Sequence, residues 1–351
     1  MRLEYAPYRL KFKKLAKTSR ETMREKVTCF LKLYDERHPE SYGIGEAAVF
    51  PGLSPEANSS YEYKIMELMA NVAIGKATDL SQYSSLQFGF EQAIWDFSSG
   101  CRGCYFNSDF LRDKSSIEIN GLVWMNDFET MLAEAHEKIE RGFKCIKFKI
   151  GAIDWDKELT MLRFIRKLDD SLEIRVDANG GLQHDILWRQ LDELAELNVQ
   201  SIEQPVPKGN IELMARICKE SKVPVALDEE LIGVYGIEEK RKLVRSIKPA
   251  YLVLKPALCG GFSGAEEWIG VGSEEGVGFW VTSALESNVG LDAIAQWTAL
   301  HNSGMAQGLG TGSLYVNNFE TPLYLEADRL HHRAGVEVDR KQIENLDWRA
   351  L

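Results

Sequence analysis

The 351-residue sequence predicts an α/β fold: a (β/α) barrel with an α+β capping domain. Three observations predict it. Short β-rich runs recur every ~25–30 residues from about 116 to 312, one βα unit each. Stretches with helical apolar periodicity separate them. Most of the central runs end in a charge, at the strand ends where barrel enzymes keep their chemistry.

The elements follow in order. About 115 residues precede the barrel and about 35 follow it, too many for tails. Leu86, Phe90, Ala93, Ile94 and Phe97 lay out a helical apolar face ahead of the barrel. These ends are assigned to one capping domain, 1–115 with a C-terminal return over 321–351, around a catalytic barrel over 116–320. The expected strands are Ile117–Leu122, Cys145–Ile150, Ile174–Asp177, Ser201–Glu203, Val225–Asp228, Tyr251–Lys255, Phe279–Ser283 and Ala306–Leu309. In the first intervening helix Asn126 is the expected N-cap and Glu129 completes a box-like start. Phe128, Met131, Leu132, Ala135 and Ile139 share a face, and Gly142 ends the helix. Two more faces read alike: Ile186, Leu187, Leu191 and Leu194, then Leu291, Ile294, Ala295 and Leu300. The spacing suits a long doubly wound sheet less well than a closed barrel.

Composition excludes several classes. A net charge of -11 argues against nucleic-acid binding, which needs a basic face. An anionic substrate must therefore be captured by a local positive site. No run approaches the ~18 apolar residues of a membrane span. The N-terminus has no apolar block after its charges, so it does not read as a signal peptide, and a cytoplasmic protein is expected. Of six cysteines only Cys101 and Cys104 form a C-x-x-C, and no second pair stands at zinc spacing. Reduced thiols are the expectation. The sequence is silent on oligomeric state.

The strand ends carry the chemistry. Lys147 and Lys149 flank Phe148 and must point to one side, Phe148 to the other. Asp177, Glu203 and Asp228 end three consecutive strands, and Lys255 ends the next. Carboxylates ~4 Å apart repel by roughly 4 kcal/mol at an effective dielectric of 20. A hard divalent cation resolves that repulsion. An oxygen-only set, without His or Cys, points to Mg²⁺ or Mn²⁺. The plain alternative, an acid capping the helix after each strand, suits one acid better than three in register. Two ammonium groups ~6 Å apart repel by about 2.8 kcal/mol, roughly two pKa units. One lysine is therefore expected to be neutral and able to act as a base. Two solvated lysines on an edge strand would be the plain reading there.

This ordered set, K-x-K, Asp177-Ala178-Asn179, Glu203-Gln204-Pro205, Asp228-Glu229 and Lys255-Pro256, resembles the enolase superfamily, within it the muconate-lactonizing-enzyme subgroup. The resemblance covers essentially the whole chain and implies a lysine base working beside Mg²⁺. Lys255 stands where a mandelate-racemase type would have His. Thr18-Ser19-Arg20, Gly43-Ile44-Gly45-Glu46, Leu53-Ser54-Pro55, Ile119-Asn120-Gly121-Leu122 and Gly308-Leu309-Gly310-Thr311-Gly312 are similar to the o-succinylbenzoate synthase family of menaquinone biosynthesis. Dipeptide epimerases of the subgroup usually carry D-x-D on strand eight, where this sequence has Gly310-Thr311-Gly312.

The resemblance implies a lyase acting on a small anionic carboxylate, with Lys149 as base and then acid and Lys147 neutralising the substrate carboxylate. Lys255 would face the ring as a cation, and Asp177, Glu203 and Asp228 would hold the metal. Asn179 and Glu229 would support them. Ser283 and the amides around Gly310 would anchor the succinyl carboxylate, and Ser19 and Arg20 would sit on a cap loop over the site. An N-acylamino acid racemase or dipeptide epimerase, using the same machinery, is the alternative. A non-catalytic barrel is disfavoured, because binding alone needs no base.

Overall fold

The computed structural model describes residues 1–17, 22–151, 153–301, 303–336 and 340–351. The chain opens with a long antiparallel sheet, β1 (Arg2–Lys17), β2 (Thr22–Asp35) and β3 (His38–Ala47), in the order β1-β2-β3. Helices α1 (Tyr61–Ala73) and α2 (Ser84–Ser98) follow. Glycine lets β3 lie directly on α2: a β-carbon at Gly45 would meet the Gly89 carbonyl oxygen at 1.8 Å. Leu86 and Ala93 of α2 are buried, whereas Ile94 is turned outward at 38% exposure.

Then come β4 (Ile117–Glu118), β5 (Gly121–Val123), α3 (Phe128–Glu140), β6 (Cys145–Lys149), α4 (Trp155–Leu168), β7 (Glu173–Asp177), α5 (Leu187–Glu196) and β8 (Ser201–Glu203). They continue as α6 (Ile211–Glu220), β9 (Val225–Leu227), α7 (Ile237–Ile247), β10 (Tyr251–Leu254), α8 (Gly261–Glu275), β11 (Gly278–Val281) and α9 (Asn288–Thr298). Seven strands pair in parallel, in the order β11-β10-β9-β8-β7-β6-β5. Two single parallel bridges, Thr282 to Gly308 and Ile119 to Gln307, close the ring through the segment 306–309. Faces turned from the barrel axis, such as Phe148, Val176 and Ile202, pack with the surrounding helices in one apolar core.

Four expectations need correction. The run 306–309 is no ladder strand, since only two isolated bridges hold it. The run Ile117–Leu122 is divided: β4 leaves the barrel to pair with β13 (Arg329–His332), itself paired with β12 (Leu323–Glu326). The cap of α3 is Asp127, not Asn126, and its carboxylate accepts from the Thr130 amide at 2.8 Å and the Thr130 hydroxyl at 2.9 Å. Leu300 lies beyond α9 and is half exposed.

After β13 comes α10 (Arg340–Glu344), and the chain then returns to its start, where Tyr5 and Arg349 exchange backbone bonds of 3.1 and 2.8 Å. On β13, His332 lies buried against Asp292 of α9, 3.6 Å from ring nitrogen to carboxylate oxygen.

The N-terminal layer docks onto barrel helices through charged side chains, of which Glu46 and Lys26 are buried. Glu46 at the end of β3 accepts from the Ser287 hydroxyl at 2.6 Å and the Ser287 and Gly290 amides at 3.0 Å, all at the start of α9. Glu91 of α2 accepts from the Phe262 amide of α8 at 2.6 Å. Both carboxylates thus sit at helix N-termini, where backbone N–H groups lack partners. Lys26 of β2 donates to the carbonyls of Ala284 and Leu285 at 2.8 and 3.0 Å. Among the described residues no helix is long and apolar enough to cross a membrane.

Candidate active site

Parallel register brings the charged strand ends together. Lys149 of β6 pairs with Asp177 of β7, and Asp177 pairs with Glu203 of β8. Asp228 and Lys255 follow directly after β9 and β10. Lys147 donates to Asp177 Oδ2 at 3.1 Å and Glu203 Oε2 at 2.9 Å. Lys149 donates to the same Asp177 oxygen at 2.6 Å and to Asn179 Oδ1 at 2.7 Å. Lys255 donates to Asp228 Oδ2. Asp228 does not cap the turn that follows it, since its side chain makes no capping bond.

Asn179 links two of these groups. Its carboxamide accepts from Lys149 and donates to Glu229 at 3.0 Å, while its amide N–H donates to Asp177 at 3.0 Å. It does so at φ 44°, a left-handed conformation that Asn tolerates better than most residues. Gln204, at φ 42°, is a functional neighbour that the sequence reading quoted only as part of a motif. Its carboxamide oxygen accepts from the Asp228 and Glu230 amides at 3.3 and 3.2 Å, fixing the turn that carries Asp228.

The acids and lysines reset one another. Burial would lower Lys147, but Glu203 and Asp177 outweigh it and hold the ammonium above its ordinary range. Lys255 is raised in the same way, burial being outweighed chiefly by Asp228. For Lys147 the acids therefore outweigh any lysine–lysine repulsion, so it is not the neutral member of the pair. Burial works to raise Asp177, yet Lys149 and Lys147 hold it well below the carboxylate range. Burial and the neighbouring Asp177 push Glu203 up to about 8. Burial also raises Asp228.

A cavity of about 730 Å³ opens over this cluster, lined by Lys147, Lys149, Lys255, Asn179, Glu229, Ser283 and Gly310. That volume suits a small-molecule site. Asp177, Glu203 and Asp228 are not on its wall; each is buried and leans on a lysine. Among the described residues no three acid, imidazole or thiol groups stand in metal-holding geometry. The donor chemistry still fits a hard dication. All three acids are oxygen donors, and Glu203 Oε1 is buried without a hydrogen-bond partner.

Ser283 reaches the wall, but its hydroxyl donates to Glu286 at 2.6 Å, so that proton is committed. Ser19 and Arg20 lie outside the described residues. Lys14, Phe50, Leu53, Thr282 and Thr311 also line the cavity, and the sequence reading missed their roles. Of these, Leu53 and Thr311 fall in the motif stretches Leu53-Ser54-Pro55 and Gly310-Thr311-Gly312.

The barrel, with its lysines and buried acids at the strand ends, places the chain in a defined class. The enolase C-terminal domain-like family matches residues 130–340, and the chain belongs to the enolase superfamily. Among relatives, o-succinylbenzoate synthase of Desulfotalea psychrophila is 40% identical, over 94% of this chain and 98% of its own. The crystal structure of MenC from the same organism superposes with a TM-score of 0.80 at 36% identity, covering 94% of this chain and 99% of that one. The L-Ala-D/L-Glu epimerase of Bacillus subtilis is 23% identical over 82% of this chain and 79% of its own. A Cytophaga hutchinsonii dipeptide epimerase, solved with Mg and a dipeptide, shares the fold at a TM-score of 0.82 and 19% identity, covering 99% of this chain and 98% of that one.

Proposed function

We propose that this enzyme is a lyase of menaquinone biosynthesis, acting in the cytoplasm, that dehydrates 2-succinyl-6-hydroxy-2,4-cyclohexadiene-1-carboxylate to o-succinylbenzoate. The observation that carries the reading is 40% identity to an o-succinylbenzoate synthase along nearly the full length of both chains. The site is consistent with it, because lysines from β6 and from the end of β10 line one cavity above three buried acids.

Asp177, Glu203 and Asp228 would hold Mg²⁺, with Mn²⁺ as a substitute. When bound, the ion would stabilise negative charge developing on the substrate carboxylate. Lys149 takes the proton α to that carboxylate and returns it to the departing hydroxyl. The C–H pair of electrons enters the ring, the C–O bond breaks with its pair, and the hydroxyl leaves as water. Asn179 steadies the Lys149 nitrogen and is itself held by Glu229. Lys147 neutralises the carboxylate, and Lys255 faces the ring as a cation. The backbone amides around Gly310 would meet the succinyl carboxylate.

The test is absorbance change on adding the cyclohexadiene acid with Mg²⁺, beside deuterium wash-in at the α-carbon of dipeptides and N-succinyl amino acids in D₂O. Fast dehydration is expected. Efficient wash-in without dehydration would replace this reading with an epimerase or racemase.

A further inference from the structure

Arg175 is a guanidinium 1% exposed, in the middle of β7. It shares a strand face with Asp177, two residues on, and so points into the barrel. Its charge is met by Glu173 at 2.6 Å, and its guanidinium carbon lies 4.5 Å from the ring centre of Trp280 on β11, four strands away in the sheet order. Its third contact is a 2.8 Å hydrogen bond from Nη1 to the carbonyl of Ala306.

That carbonyl opens the segment that closes the ring. Among the described residues, the segment 306–309 joins its neighbours through two single bridges, and Ala306 makes no backbone ladder bond. Backbone bonds between Gln307 and Glu118 and Asn120, and between Gly308 and Val281 and Ser283, hold the middle of the segment, and side chains add to them. The Gln307 carboxamide accepts from the Val281 amide at 2.7 Å and donates to the Ser303 hydroxyl at 2.6 Å, while Arg175 reaches across the interior to Ala306. Immediately beyond, Gly308, Gly310 and Thr311 form part of the cavity wall. The base of this wall, at Ala306, is held by the Arg175 side chain where it makes no backbone ladder bond.

We propose that Arg175 is a positioning residue: by gripping the Ala306 carbonyl it fixes the 306–312 segment, and with it the wall that receives the substrate away from the lysines. Arg175 touches no reacting atom. Its loss should therefore weaken substrate binding more than it slows the chemical step. The kinetic half of the test rests on the dehydratase reading, while the structural half does not.

Arg175→Met, which fills much of the space without a donor, and Arg175→Lys, which keeps the charge, are compared with the wild type. The readouts are hydrogen exchange at the Gln307 and Gly308 amides and separate KM and kcat for the cyclohexadiene acid. In Arg175→Met the two amides should exchange about tenfold faster or more. KM should rise roughly tenfold or more, with a much smaller change in kcat. Arg175→Lys should recover part of both. Unchanged exchange, or a fall in kcat at constant KM, overturns the proposal. If the Met variant does not fold, Arg175→Lys decides by the same two readouts. If the wild type does not dehydrate the acid, the functional reading fails, and exchange alone decides whether Arg175 pins the segment.

Discussion

Lys149 and Asp177 are register partners on adjacent parallel strands, and the ammonium of one donates to the carboxylate of the other at 2.6 Å. Lys147 shares the same oxygen at 3.1 Å. The proposed base is therefore tethered to a proposed metal ligand. If Asp177 turns to a cation, Asn179 remains as the acceptor that keeps Lys149 in place.

Lys149→Ala should lose at least ~10²–10⁴-fold in dehydration rate, the range typical of a general base. Circular dichroism and Mg²⁺ affinity should stay near wild type, because the acids remain. Lys255→Ala should be crippled as well, while Lys255→Arg keeps some rate if charge is what the ring requires. A Lys149→Ala enzyme working at near-normal rate would remove the base assignment.

Glu203→Gln should bind Mg²⁺ much more weakly, by an order of magnitude or more. Its carboxylate is one of three proposed ligands, and its Oε1 has no protein partner. Calorimetric titration measures this directly. Affinity equal to wild type would exclude Glu203 from the metal site.

Asp292 sets a stability dependence on pH. Burial pushes its carboxyl up to about 8, far above the ordinary 3.8, and burial lowers the neighbouring His332 imidazole. Both groups are thus neutral in the fold at neutral pH. Below about 6.5, where the unfolded histidine takes up a proton, the two effects oppose each other. From about 6.5 to 8 Asp292 acts alone: the unfolded chain has released its proton and the folded chain has not, so stability falls as pH rises. The slope approaches about 1.4 kcal/mol per pH unit. Urea denaturation at several pH values should show Asp292→Asn losing that slope relative to wild type. Parallel slopes would refute it.

The strand-end charges were legible because period-two spacing and one charge per strand survive any detail of closure. The residues Lys147, Lys149, Asp177, Glu203, Asp228 and Lys255 could be named before their contacts were known. What the residues around them do was not legible. Lysine repulsion could be estimated from Lys147 and Lys149 alone, but at Lys147 the contacts to Asp177 and Glu203 outweigh it. The run Ala306–Leu309 has the composition of a strand, yet pairing depends on partners distant in sequence; it pairs at Gln307 and Gly308, and side chains from Arg175 and Gln307 add to those bonds. Asn126 and Asp127 are both good caps, and only the backbone angle decides between neighbours. Ser283 was a plausible anion donor, but its hydroxyl donates to Glu286 instead.

Glu46 and Glu91 carry a consequence for how the molecule melts. Each is a carboxylate of the N-terminal layer that satisfies the amides opening a barrel helix, and Glu46 is wholly shielded from solvent. Separating the two layers would break these charge-assisted hydrogen bonds, each worth about 1.5–3 kcal/mol net. Neither layer can come loose cheaply while the other stays folded. Scanning calorimetry should therefore record one heat-absorption peak for the whole chain, with calorimetric and van't Hoff enthalpies in agreement. Glu46→Ala should split or broaden that peak, turning one cooperative unit into two.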